Sequence, residues 1–186
     1  MAFLGDHTGS LGTMPRVPYP EYDNRQAELE AIVRESRHGQ FLHLYRMLLH
    51  APDIALEWLS LGSVIRYGSD VRDELRELAI CSVAAAMGSH YEWHHHAPLA
   101  EAAGIDASQL QGLWADGGVD GFSNEHRLCA RYASSVARGQ VTDGMVQEVV
   151  SVFGVEILVE LTAIASYYTG VSRFLESLDI DIEGAV

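Results

Sequence analysis

The chain has 186 residues, 48% hydrophobic and 20% charged, with 26 acidic residues against 12 basic ones and a formal net charge of −14. That size and balance fit one globular domain with its own core and exclude a disordered chain. So negative a surface weighs against nucleic-acid and membrane-surface partners, although a few arginines inside a cleft can reverse the local field for an anionic substrate.

Residues 1–22 contain Gly5, Gly9, Gly12, Pro15, Pro18 and Pro20 and are predicted to form an arm without regular structure, either packed on a neighbouring subunit or disordered. Residues 23–186 form the folded domain. The first helix is predicted from Asn24 to Arg37, with Leu29, Ile32 and Val33 on one side, and the second from Phe41 to Leu49. Pro52 closes the second and opens a third to Tyr67, because proline is tolerated in a first turn. Ser69 and Asp70 are expected to cap a strong helix from Val71 to Met87, which Gly88 ends. A further helix follows from His90 to Ala103.

The second half has the same character. Short and longer helices are predicted from Asp106 to Asp116 and from Ser123 to Arg138, the latter burying Leu128, Cys129, Tyr132, Ala133 and Val136 on one face. Thr142 or Asp143 caps the next, and from Val155 one long helix runs to Leu178. Strand alternation and hairpin dipeptides are missing, so the fold class is all-α and single-domain. The most apolar stretch, Val149 to Tyr168, is interrupted by Glu156 and Glu160, and no segment reads as a bilayer span. With no signal-peptide pattern at the N-terminus, the expected location is the cytoplasm. Cys81 and Cys129 lack CxxC spacing and are expected as reduced core thiols.

Chemistry concentrates in Arg76-Glu77-Leu78-Ala79-Ile80 and in Ser89-His90-Tyr91-Glu92-Trp93-His94-His95-His96. On a helix, Ser89, Glu92 and His96 share one face, whereas His90 and His94 lie about 200° of rotation from Glu92. An HxxxH pair needs a third ligand to bind zinc, and HExxH is absent, so no metal site is expected. Glu92 and His96 could orient one another for proton transfer, or form a helix-surface pair contributing only ~0.3–0.5 kcal/mol. Arg76 could meet a substrate carboxylate, but it points about 100° away from Glu77 and is expected to pair outside the pocket.

The string RELAI, a small-residue run and SHYEWHHH resemble the core signature of the carboxymuconolactone decarboxylase family, within the alkylhydroperoxidase D-like superfamily, in a YEW-containing subgroup without a CxxC pair. The segments APLAEAAGI and Val159 to Leu175 extend the resemblance, which covers about Pro52 to Ile182. The peroxidase branch of that superfamily carries a glutamate, two cysteines three apart and a histidine. On this chain those positions hold Glu77, Ser89, Glu92 and His96. Serine and glutamate supply neither a thiolate nucleophile nor a resolving thiol, which argues against a thiol peroxidase.

The resemblance implies an alkylhydroperoxidase D-like helical bundle that packs the two motif helices together and brings Glu77 towards His96. It also implies a cofactor-independent lyase of the decarboxylase type, or an isomerase, acting on a small lactone or keto acid. The expected catalytic set is His96 as proton-transfer group with Glu92 and Glu77 as orienters or co-bases. Ser89 is the expected donor to a substrate oxygen. Tyr91, Trp93 and Tyr168 are the candidate substrate contacts, although such aromatics most often serve the core or a subunit interface. The alternative is a non-catalytic binding or assembly module on the same scaffold. The expected partners are a small-molecule substrate and further copies of the chain, in a trimer or hexamer as family members assemble.

Overall fold

In a computed structural model that describes residues 15–21, 23–37 and 39–184, the periodic stretches fold as eight helices and, among the described residues, no strands. They are α1 (Asn24–Ser36), α2 (His43–Leu48), α3 (Pro52–Tyr67), α4 (Asp73–Met87), α5 (His90–Ala102), α6 (Ala107–Asp116), α7 (Asn124–Arg138) and α8 (Asp143–Leu178). Most of the predicted arm lies outside the described residues. Its last part runs against the C-terminal segment: the Arg16 amide donates to Leu178 O at 2.9 Å and Tyr19 Oη to Asp181 Oδ1 at 2.6 Å.

Helix α4 is the central rod. It is buried without a break from Leu75 to Ala84, because α5, α6, α7 and α8 all pack on it and leave no face for solvent. Ala79, Ile80 and Val83 meet Leu128, Cys129 and Tyr132 of α7 and Leu161, Ile164 and Ala165 of α8 in the largest core cluster. A second cluster joins α1, α2 and α3 to the end of α8 through Val33, Leu48, Leu59, Val171 and Leu175. Gly88 ends α4 at φ +67°, a left-handed conformation that suits glycine, and the amide of Ser89 closes back on Ala84 O at 2.9 Å. That tight turn folds α5 back along α4.

Two expectations are corrected here. Ser69 and Asp70 do not cap α4, which begins at Asp73 with Arg72 at the cap position and no side-chain cap. Their polar groups go instead to Glu160 of α8, which accepts from Ser69 Oγ at 2.6 Å and from the amide of Asp70 at 2.8 Å. A contact so distant in sequence outcompetes the local cap. Likewise, α8 holds a window with mean hydropathy 1.9 and is, by length and composition, long and apolar enough to cross a membrane. Glu156 and Glu160 do not lower that mean enough to exclude it.

Helix α8 breaks at Gly154, whose φ of +88° and ψ of 168° lie in a region open essentially to glycine alone. The break falls where the sequence predicts the long helix to begin. Gly154→Ala is therefore expected to destabilise the protein by roughly 1–3 kcal/mol, read as a lower melting temperature. An unchanged melting curve would show that this segment adopts a helical φ at no cost.

Candidate active site

The small-residue end of α4, Ala84-Ala85-Ala86, lets α5 approach closely, and Ser89 starts α5 by accepting from the amide of Glu92 at 3.4 Å. On α5 the buried residues are Tyr91, Glu92, His96 and Ala100, the stripe that faces the protein interior. His96 thereby lies beside Glu77 of α4. His96 Nδ1 and Glu77 Oε2 are 2.7 Å apart, with 5% of His96 and 4% of Glu77 exposed.

Burial raises the Glu77 carboxyl, but the His96 hydrogen bond and the charges of His96, Arg66 and Arg76 outweigh it and hold its pKa below the ordinary value. Burial drives His96 the other way, below its ordinary 6.5, and the Glu77 bond offsets only part of that. The pair is thus an ionised carboxylate receiving Nδ1–H from a neutral imidazole. That bond fixes the tautomer and leaves Nε2 as an acceptor.

Nε2 points to Glu92, whose Oε2 is 3.6 Å away. Glu92 is buried with no hydrogen bond to its carboxyl among the described residues. Burial pushes its pKa up to about 8, helped by the charges of Glu183 and Glu77 and opposed by Arg66 and Arg37. Glu92 therefore keeps its proton at neutral pH. A buried line results: carboxylate, imidazole, carboxylic acid.

A cavity of about 180 Å³ opens on the far side of this line and is lined by Glu92 and His96 but not by Glu77. Tyr168 packs edge-on to His96 with ring centroids 5.0 Å apart, and its buried hydroxyl is pushed well above 10, so it stays a donor. Tyr91 also lines the cavity, while its hydroxyl donates to Glu183 Oε1 and accepts from the Leu44 amide at 3.3 Å.

The structure brings together Glu77, Glu92, His96, Tyr91 and Tyr168. It does not bring Ser89 or Trp93 to the cavity. The Ser89 hydroxyl is the α5 cap, and Trp93 packs on Trp114 at 4.8 Å beside the third core cluster, because position 93 turns to the α6 side. Arg76 pairs with Asp73 at 2.9 Å and Glu77 at 3.4 Å, outside the cavity. His90 and His94 are exposed, and the described residues contain no metal-binding group of three. Sequence reasoning missed Arg37, Arg66, Tyr45, Tyr167 and His95, which also line the cavity. The first four come from the end of α1, α2, α3 and α8, where no local pattern singles them out.

Both thiols are free and buried; burial raises Cys81 far above its ordinary range and pushes Cys129 up to about 12. Neither is poised as a thiolate nucleophile.

Residues 52–135 match the model of the carboxymuconolactone decarboxylase family. That match takes in a little under half of the chain. The match covers α3 to most of α7, including every member of the buried line, and stops before the C-terminal segment where the sequence resemblance was also read. A search among curated proteins returns no match. Among solved structures, an uncharacterized peroxidase-related protein from Ralstonia eutropha JMP134 with an alkylhydroperoxidase AhpD core superposes with TM-score 0.76 at 15% identity, over 93% of this chain and 94% of that one. One from Silicibacter sp. TM1040 gives 0.78 at 11% identity, over 91% and 92%. The debrominase Bmp8, as a cysteine-to-alanine variant in complex with 2,3,4-tribromopyrrole, gives 0.75 at 18% identity, over 90% and 91%. At these identities the likeness establishes the shared fold, an alkylhydroperoxidase D-like bundle.

The neutral state of Glu92 has a consequence for stability. An unfolded glutamate ionises near 4.5, whereas the folded one holds its proton to about 8, so the native state binds the extra proton in between and loses stability as pH rises. His96 works in the opposite sense only below 6.5. Between pH 6.5 and 8 the wild type is expected to lose roughly 2 kcal/mol relative to Glu92→Gln, which has no proton to lose. Parallel melting curves of the two proteins across that window would show that Glu92 is ionised in the fold.

Proposed function

We propose that this protein is a cofactor-independent enzyme of the carboxy-lyase or isomerase type, working by proton transfer on a small lactone or keto acid. The observation that carries this reading is Glu92, a buried carboxyl with no hydrogen bond among the described residues, 3.6 Å from the Nε2 acceptor of His96, both facing one cavity. The sequence assigned proton transfer to His96 and gave both carboxylates as orienters or co-bases. The geometry supports a different division, in which Glu77 orients and Glu92 and His96 handle the proton.

In a decarboxylation, the bond between the carboxylate carbon and its neighbour breaks and carbon dioxide leaves. The electron pair passes onto a conjugated carbonyl as an enolate. Glu92 then gives its proton to carbon and regains one from solvent. In an isomerisation the same pair takes a proton from one carbon and returns it to another. The Tyr168 O–H is the donor available to the enolate oxygen, the part first assigned to Ser89. A debrominase in the same fold, crystallised with a brominated pyrrole, supports a small unsaturated ring as the kind of molecule handled. The reduced, buried thiols suit a reducing compartment such as the cytoplasm.

Glu92→Gln and His96→Ala are expected to lower kcat by about 10²–10⁴-fold on lactone and keto acids in chelator-treated buffer, with the helical circular dichroism unchanged. Wild-type activity is expected to fall above pH 8 as Glu92 ionises, and on the acid side as His96 gains a proton. Full turnover by Glu92→Gln would remove this mechanism. Ligand-induced melting shifts without turnover would favour the binding-module alternative.

We also read the chain as a homo-oligomer. Val152, Val155 and Val159 on α8 are about half exposed or more, as are Leu61, Val64 and Tyr67 on α3, a large apolar surface for a monomer. Light scattering at micromolar concentration should give a mass of three or six chains, and the double substitution Val155→Glu with Val159→Glu should reduce it. A monomer mass for the wild type would refute the assembly.

A further inference from the structure

We propose that Arg37 and Arg66 form a carboxylate-binding subsite in the cavity, selecting small, planar, unsaturated acids as the substrate class. This deepens the proposed function and rests on it for the chemistry, though not for the binding.

Arg37 follows the last turn of α1 and is only 5% exposed, yet it has no carboxylate partner among the described residues. One guanidinium nitrogen, Nη2, donates to Tyr45 Oη at 2.6 Å. The other two, Nε and Nη1, are buried without any hydrogen-bond partner. Burial opposes its charge, but the neighbouring Tyr45 and Tyr67 hydroxyls favour it and Arg37 stays a cation. A buried cation with two unmet donors is costly and is normally paired. In a chain of net charge −14 there is no shortage of carboxylates to pair it.

The seat is built as well as buried. Gly62 of α3 leaves room for it: a Cβ there would come within 3.1 Å of Arg37 Nη2 and 2.5 Å of the Tyr167 hydroxyl. Arg66, one turn further along α3, lines the same cavity and likewise forms no ion pair among the described residues. The nearby carboxylates are already engaged, Glu77 by His96 and Arg76, and Glu183 by Tyr91 and His95. Glu92, the one carboxyl on the cavity wall, holds its proton at neutral pH. Among the described residues the cavity therefore presents two cations and no free anion, and a carboxylate seated against them answers both guanidinium charges through charge-assisted bonds.

Size and walls narrow the rest of the molecule. A dry cavity of about 150 Å³ holds benzene, so about 180 Å³ accommodates one ring with its acid group. The rings of Tyr45, Tyr167 and Tyr168 provide flat surfaces for it. The held carboxylate is an anchor and not a leaving group, since its loss as neutral carbon dioxide would leave the electron pair on the ring, farther from the two guanidiniums; of the two proposed reactions this favours isomerisation, or the loss of a second carboxyl group. The chemistry then takes place elsewhere on the ring, at Glu92 and His96.

The test uses the full chain with benzoate, benzamide and inorganic phosphate as probes, read by calorimetry and melting shift. Benzoate is expected to bind at least about tenfold more tightly than benzamide, and phosphate not measurably. Arg37→Met should melt no lower than wild type, because an unpaired buried cation contributes no stability, yet should lose the benzoate shift. Arg66→Gln, at a half-buried position, should weaken benzoate about tenfold and decides the matter if Arg37→Met does not fold. Glu92→Gln should keep benzoate binding while losing turnover. Equal affinity for benzoate and benzamide, phosphate binding as tight as benzoate, or unchanged benzoate affinity in the arginine variants would overturn the subsite. Selective benzoate binding with full turnover by Glu92→Gln would instead sink the acid–base reading and leave the subsite standing.

Discussion

The arrangement of the site depends on one buried bond, between Glu77 of the central helix α4 and Nδ1 of His96 on α5. An ionised carboxylate inside a core is tolerable only if its oxygens are met, and here Arg76 meets one and His96 the other. Losing the imidazole would leave a buried charge that nothing else on α5 can reach. The Gly88 turn and the alanines before it exist, in physical terms, to let two helices come close enough for that bond. From it follow the tautomer of His96, the direction of its free nitrogen and the place of Glu92.

The C-terminal segment closes the same neighbourhood from outside. Glu183 accepts from the Tyr91 hydroxyl, the His43 amide and the His95 ring, and Asp181 from Tyr19 and His43. Burial opposes the Glu183 charge, but those hydrogen bonds outweigh it and hold its carboxyl down at about 2. Glu77 and Glu183 are thus held as anions by dedicated donors, while Glu92, which has none, stays neutral. The difference between them is one of hydrogen bonding, not of residue type.

Much of the helical architecture was legible because the patterns are local: the apolar face of α7, the proline that opens α3, and the glycine that ends α4. The meeting of Glu77 with His96 came from family resemblance, since no periodicity links residues on two different helices. Where the reading went astray, a distant partner won over a local one. Ser69 has the chemistry of a cap but bonds Glu160 on α8. Ser89 sits on the face of Glu92 and His96 by helical arithmetic, yet at the cap position its hydroxyl turns to the backbone of its own first turn. Arg37 and Arg66 were invisible for a related reason. An arginine after a helix end looks solvated in sequence, and only the packing of α1 against α3 buries it.

Glu92 lies in the first turn of α5, at the position that holds the second cysteine in the peroxidase branch to which the sequence was compared. A helix N-terminus favours an anion there by about 0.3–1 kcal/mol, which suits a thiolate. For Glu92 the same field acts against a much larger opponent. Raising its pKa from 4.5 to about 8 corresponds to roughly 5 kcal/mol against the charged form. Burial wins by several-fold, so the fold position that favours a nucleophilic anion in the thiol enzymes holds a carboxylic acid here. Exchanging sulfur for a buried carboxyl at this position therefore favours proton donation over electron-pair donation, in keeping with the acid–base chemistry proposed above.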